Sequence, residues 1–436
     1  MQLRSMAHPG VRCVEQDFKQ KVCAGNLQRV LFPTQQRVTL PYQQTWTFSR
    51  KRLPLDYQFP GSFMLQKAVH SRFASMLILF VLYWIVAAAS VSGSLGKWAL
   101  RDGEQNFGIE QILNEQASRP FVYRRLLPEA ADFAERITPQ SIKLYVSDKL
   151  SPHRTFARAS AAGDPKYAFR YVVMAYLCLG ASLLTLFVLS ALLRDLGFTR
   201  QTTVMAPMAF VLAFPFLQTV GGYFYDSVEL FFLSAAALLA VRGYWIVLVA
   251  LAVPATLNKE AFFFFVPSLY PLLRIRRDRK TALAAIVATV AVSGIVNAWI
   301  KWLYAGARGD VAHLQLLNNI EKYFYLPTYT QFEVTYGMVG PSGAFLGTLL
   351  VMAIIVIRGW STCPLVARQH LIIGAALNLP LFLVFCAPGE LRNLSMLFVG
   401  FVVLLACVSD SVSSRIPLAS VDAKRTSNMD DAKLSA

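Results

Sequence analysis

The chain is short of the side chains that make soluble active sites recognisable. Only 15% of its residues are charged, and its five histidines form no His-x-x-His or His-Glu-x-x-His arrangement. A transition-metal centre is therefore not expected. The six cysteines are Cys13, Cys23, Cys178, Cys363, Cys386 and Cys407. None has zinc-type pair spacing and three lie in apolar runs, so neither a metal cluster nor a disulfide framework is implied. There is no Walker loop, no Gly-x-Gly-x-x-Gly opening a helix and no Gly-x-Ser-x-Gly elbow. A cleavable signal peptide is not expected either, because residues 1–72 are polar and basic and the first apolar run starts near Phe73.

What the chain has in abundance is apolar runs. It is 55% hydrophobic over 436 residues. Stretches of about 18 or more apolar residues read as membrane spans, and Ala74 to Leu95, Tyr171 to Leu193 and Thr281 to Tyr304 qualify. Ten apolar segments can be drawn, at about 74–95, 171–193, 203–220, 227–241, 244–257, 261–273, 281–304, 342–357, 370–387 and 393–409. The fifth and sixth are short for full spans. The formal charge of +17 is concentrated in the N-terminal tail and in short loops. The segment from Arg274 to Lys280 alone has five cations and one acid. Cations gathered in alternate loops report orientation, so nucleic-acid binding is not expected. The expected fold is an all-α polytopic bundle of about ten spans with both termini inside. A basic, disordered cytoplasmic tail covers 1–72, a transmembrane domain 73–410 and a polar tail 411–436. The long extracytoplasmic loop 96–170 carries a surface helix near Pro128 to Thr138. Its Leu126, Ala130, Phe133 and Ile137 make one apolar stripe, suited either to lying on the membrane or to packing on the spans.

Ionisable groups at the ends of apolar runs are costly to place and point to function. Three such islands fall on the same expected side: Tyr225-Asp226 with Glu229, Asn258-Lys259-Glu260, and Glu390-Leu391-Arg392. Asp226 and Glu229 could hold a cation, bond a sugar or pair with Lys259. Lys259 could hold a phosphate as a point charge. Arg392 could do so with its planar fork, or bridge locally to Glu390. Two further candidates lie in the long loop. Asp102 and Glu104 follow the first span and could serve as general base or bind a divalent cation through oxygen. Arg119 and Arg124 are interleaved with aromatics, which suits a lipid-linked phosphate or anionic headgroups.

Together these features resemble the GT-C superfamily of polytopic glycosyltransferases. The likeness rests on the long first extracytoplasmic loop, the acids Asp102 and Glu104 behind span one, the surface helix, and the charged residues at later outer loops. In place of the family's paired Asp-x-Asp the chain carries Asp102-Gly103-Glu104. The resemblance implies sugar transfer from a polyprenyl-phosphate donor at the extracytoplasmic face of a bacterial inner membrane. It casts Asp102 or Glu104 as catalytic base. Arg119, Arg124, Asp226, Glu229, Lys259, Glu260, Glu390 and Arg392 would bind substrate. The implied partners are a lipid-linked sugar or polyprenyl phosphate and the membrane lipids; no cofactor is certain, and a divalent cation is an option. A transporter or flippase for an anionic or lipid-linked substrate, or a polysaccharide polymerase or ligase, would use the same cations.

Overall fold

The computed structural model describes residues 62–413 except 311, 336 and 337, with side chains described from 74 to 412 outside 311 and 334–338. The chain divides into two units, Met1–Ser62 and Phe63–Ala436, and the helices and the candidate site belong to the second. The tails expected over 1–72 and 411–436 lie largely outside the described residues.

The chain is mostly helical. The first helix, α1 (Ser62–Trp98), leads into a long connection holding α2 (Ile109–Leu113), α3 (Leu126–Ile137) and α4 (Gln140–Leu150). Then come α5 (Ala168–Asp195), α6 (Arg200–Leu217), α7 (Phe224–Arg242) and α8 (Trp245–Asn258). Next, α9 (Ala261–Phe265) runs through a 3-10 turn into α10 (Tyr270–Leu273), followed by α11 (Arg279–Leu303) and α12 (Leu316–Phe324). A hairpin of β1 (Phe332–Thr335) and β2 (Met338–Pro341) pairs Phe332 with Pro341 and Thr335 with Met338. It is a small departure from the all-α expectation. The chain closes with α13 (Leu346–Trp360), α14 (Leu365–Phe385) and α15 (Ser395–Ser413).

Among the described residues six helical segments are long and apolar enough to cross a membrane: Ala74–Trp98, Ala168–Asp195, Phe224–Arg242, Arg279–Leu303, Leu365–Phe385 and Leu391–Val412. Three more apolar helices are shorter, at Trp245–Asn258, Ala261–Leu273 and Leu346–Trp360. They do not differ equally in burial. Helix α7 is almost wholly enclosed, because Ser234, Ala235, Ala236, Ala237 and Ala240 give it a narrow waist against which α5 packs. Small residues let helix backbones approach closely where packing must supply the attraction. By contrast α1 and α11 leave Met76, Ile78, Leu283, Val287 and Ile295 more than half exposed. An exposed apolar band of this kind needs a partner, and hydrocarbon is one that fits.

The basic connections gather at one end. Arg242 Nε donates to Asp195 Oδ2 at 2.7 Å, and Arg277 Nε donates to the Gly243 carbonyl at 2.9 Å. Gly243 ends α7 in the left-handed region at φ 72°, as a C′ glycine does. Asp410 at the end of α15 accepts from Thr199 Oγ1 at 2.7 Å. Asp278 caps α11 by accepting from the backbone N–H of Lys280 and Thr281, a usual N-cap.

Helix α3 resolves a sequence ambiguity. Its Leu127, Pro128 and Ala131 are buried, and Arg170 of α5 donates to Asp132 at 2.9 Å. Phe133 and Ile137, from the expected apolar stripe, point outward and are 61% and 65% exposed. The helix therefore packs on the bundle by one face and leaves a second apolar face free.

At the other end the backbone is tightly knit. Thr219 Oγ1 donates to the Gly389 carbonyl at 2.5 Å and accepts from Leu391 N–H at 3.1 Å. A Cβ on Gly343 would stand 1.5 Å from that same carbonyl oxygen. Gly343→Ala is thus expected to force these segments apart at a cost of about 1–3 kcal/mol. In thermal unfolding of detergent-purified protein it should melt several degrees lower, whereas Gly180→Ala, which meets nothing within 4 Å, should not.

Candidate functional site

Segments far apart in sequence meet at the N-terminal end of α7, and buried charge is what joins them. Burying an isolated ion is prohibitive, so each must find a counter-ion. Lys259, just beyond α8, donates to Glu229 Oε2 at 2.8 Å and to Asn393 Oδ1 at 3.2 Å. Glu229 Oε1 accepts from Ser395 Oγ at 2.6 Å. Arg392 donates to Asp226 Oδ1 at 3.2 Å and also binds Glu390. Asp226 Oδ2 accepts from Tyr223 N–H at 2.9 Å and from Gln218 Nε2 at 3.3 Å. The sequence alternatives for islands one and three are thus both realised: Glu229 pairs with Lys259, and Arg392 bridges Glu390 while also reaching Asp226.

Arg124 joins the cluster from the long loop. Its Nη1 donates to Tyr225 Oη at 2.5 Å and its Nη2 to Glu260 Oε1 at 2.8 Å. Burial alone would raise the Glu260 carboxyl, but the Arg124 guanidinium overrides it and holds the group at about 2. An aromatic column braces these cations. Tyr223 stacks between Phe121 and Tyr225, with centroids 5.4 and 5.1 Å away. The Arg392 guanidinium lies 4.4 Å from the Tyr223 centroid and that of Arg124 4.4 Å from Tyr225. Cation–π attraction fixes guanidinium planes without neutralising them.

Beside this cluster lies a cavity of about 450 Å³, within the usual range for ligand sites. Arg124, Lys259, Glu260, Glu390, Arg392 and Asn393 line its polar end, with Lys301, His313, Gln315 and Asn378. Phe264, Leu381, Phe382, Phe385 and Met396 line the remainder. Glu260 Oε2 and Asn378 Oδ1 have no hydrogen-bond partner among the described residues. Buried acceptors are normally matched, so this wall suits a ligand rich in hydroxyl donors.

The first-loop acids sit differently. Asp102 Oδ1 accepts from Tyr171 Oη at 2.9 Å and Leu100 N–H at 3.1 Å, and Oδ2 accepts from Ala161 N–H at 2.8 Å. The carboxylate ties the end of α1 to α5 and to the turn at Ser160–Gly163, and it does not line the cavity. Glu104 is exposed and pairs with Arg101 at 3.1 Å. Arg119 also stays outside the lining, donating to the Ala305 carbonyl at 3.4 Å. Among the described residues no cluster of three or more His, Cys, Asp or Glu could hold a metal ion. Sequence reasoning missed Tyr223, Asn393, Ser395, Lys301 and His313. Tyr223 and Asn393 abut the islands, which is a usable signal. Lys301 and His313 have none, since only the packing of α11 and the following loop brings them in.

Two outcomes are expected. Lys259→Met should strand the Glu229 carboxylate and cost about 3–5 kcal/mol, while the Glu229→Gln, Lys259→Met double variant should recover most of it in thermal unfolding. The second concerns pH. Burial pushes the Asp102 carboxyl up to about 6 despite its three hydrogen bonds. Below about pH 4 both folded and unfolded states carry the proton. Between pH 4 and 6 the unfolded state loses it first, so stability falls by about 3 kcal/mol as pH rises through that window. Asp102→Asn should flatten that part of the stability–pH curve.

Comparison of the chain with protein-family models, with curated proteins and with solved structures returned no match.

Proposed function

We propose that the chain is a multi-pass membrane glycosyltransferase that takes a sugar from a polyprenyl-phosphate donor at the extracytoplasmic side. One observation carries this reading: Arg124, Lys259 and Arg392, from three distant segments, converge on a single cavity whose other half is aromatic and aliphatic. A phosphate held by an arginine fork, next to an apolar channel, is what a lipid phosphate requires. The unmatched acceptors Glu260 Oε2 and Asn378 Oδ1 suit sugar hydroxyls.

Each of the ten apolar segments corresponds to helical chain, and we read all ten as passes, with both termini inside. The gathering of the connections at 194–200, 242–243 and 274–280 with the end of α15 supports this sidedness, and the charged islands then face outside. Bacterial inner membrane is the setting the resemblance suggests.

In the reaction the bond between the anomeric carbon and the lipid phosphate oxygen breaks, and negative charge develops on the departing phosphate. Arg392, Lys259 and Arg124 stabilise that charge where it forms. The acceptor hydroxyl attacks the anomeric carbon and gives up its proton. The carboxylates lining the cavity are Glu260 and Glu390, and Glu260 is the better placed base because one oxygen is unmatched. At rest its clamp by Arg124 makes it a weak base. A phosphate that draws on Arg124 loosens the clamp, and the carboxyl becomes more basic as substrate arrives. Asp102 then acts as a positioning residue, tying the end of α1 to α5 and to the turn at Ser160–Gly163. Transport is less well supported, since Gln218 and Asn378 are engaged with Asp226 and Asn393 at this same end.

The test is transfer of labelled sugar from a panel of polyprenyl-phosphate sugars by protein in lipid nanodiscs, alongside glycolipid profiles of cells. Arg392→Ala is expected to cut turnover about 100-fold, and Glu260→Gln to cut it while leaving donor binding intact. Unchanged glycolipids with both variants, at normal expression, would sink the proposal.

A further inference from the structure

A second cavity, of about 510 Å³, opens at the end of the bundle where the basic connections gather. Tyr270, Arg274, Arg279, Gln369, Ile372 and Ile373 line it. It is distinct from the candidate site: on α14 its lining ends at Ile373, whereas the lining of the first cavity begins at Asn378. Five helical steps, roughly 8 Å at about 1.5 Å per residue, separate the two linings there.

Three observations define what this cavity accepts. The first is charge. Arg274, Arg276, Arg277, Arg279 and Lys280 make no ion pair among the described residues. The one acid among them, Asp278, is spent on capping α11. The second is the floor. Helix α10 and the 3-10 turn before it pack against both α11 and α14, so the two long helices stand as walls of a groove. The third is what the walls present. Arg279, Leu283 and Val287 follow one another at four-residue steps down α11, so they share a face. Leu283 and Val287 are 57% and 58% exposed. On α14, Gln369, Ile372 and Leu379 form the corresponding exposed stripe. Guanidinium groups without a carboxylate partner, Arg274 also donating to the Arg277 carbonyl at 2.7 Å, therefore head a groove with apolar sides.

We propose that this groove binds one anionic phospholipid of the surrounding bilayer. Arg274 and Arg279 hold its phosphate, Gln369 bonds the glycerol region, and an acyl chain runs between the two apolar stripes. A soluble phosphate would use the arginines alone and leave the stripes without an occupant, whereas a bilayer lipid satisfies both. Cationic groups at a membrane interface attract anionic headgroups, and here the cavity turns that general attraction into a particular seat.

The inference rests on the membrane reading above but not on glycosyl transfer. Protein purified in mild detergent from nanodiscs of phosphatidylcholine with phosphatidylglycerol is examined by native mass spectrometry. One retained phosphatidylglycerol per chain is expected. Arg279→Gln, an exposed residue whose loss should not disturb folding, should weaken retention about fivefold. The Arg274→Gln, Arg279→Gln pair should abolish it. Lys280→Gln with Arg358→Gln removes the same charge outside the cavity lining and should leave retention unchanged. Equal loss in that control pair, or equal retention of phosphatidylcholine, overturns the proposal in favour of general surface attraction. Displacement of the lipid by millimolar inorganic phosphate overturns it in favour of a soluble ligand. Failure of the membrane reading shows separately, as a chain that stays soluble and monodisperse without detergent.

Discussion

The pairing of Lys259 with Glu229 is the constraint on which the rest of this structure depends. Both groups are enclosed, and burying either charge without the other would be costly. Because Glu229 belongs to α7 and Lys259 to the end of α8, the pair fixes the relation of these helices. Through Asn393 and Ser395 it also sets where the start of α15 lies. Arg392 repeats the logic one turn of α7 away, through Asp226. Chain segments that never meet in sequence are thus held in register by charge neutralisation at one end, while small residues set the spacing along the rest of α7.

Much of the site could be read in advance, for a physical reason. In an apolar chain an ionisable residue stands out, and its cost ensures that it has a partner. That is why Asp226 meets Arg392 and Glu229 meets Lys259 in ion pairs, and of these residues Lys259 and Arg392 line the cavity together with Arg124. Asp102 shows where this reasoning stops. Its place behind the first span suggested chemistry, but its neighbours Tyr171 and Ala161 lie 69 and 59 residues away. Nothing local in the sequence reveals that both its oxygens are taken up by the fold. The same holds for Lys301 and His313, which reach the cavity only through tertiary packing.

The fold was legible at the level of element type and less so at the level of spans. Apolar runs locate the helices well, since each apolar segment is mostly helical, although 218–220 and 342–345 lie outside α6 and α13. Length is the harder question. Helix α8, and the interrupted run from α9 to α10, are shorter than a full span, and Pro254, Pro267 and Pro271 fall within this stretch. Proline removes a backbone donor, so these segments depend on neighbours rather than on length for their stability. In α3 the stripe residues Phe133 and Ile137 stay exposed, while the adjoining face with Leu127 and Ala131 is buried and Arg170 of α5 pairs with Asp132.

The ionic cluster also has an overall charge. Arg124, Lys259, Arg392 and the cavity-lining Lys301 stand against Asp226, Glu229, Glu260 and Glu390, four of each sign. The resting site is therefore electrically balanced before any ligand arrives. The anion proposed as ligand would upset that equality and compete with the carboxylates for the same donors. Filling the cavity with the proposed ligand would then be an exchange of counter-ions, the carboxylates of the fold giving way to the phosphate of the guest.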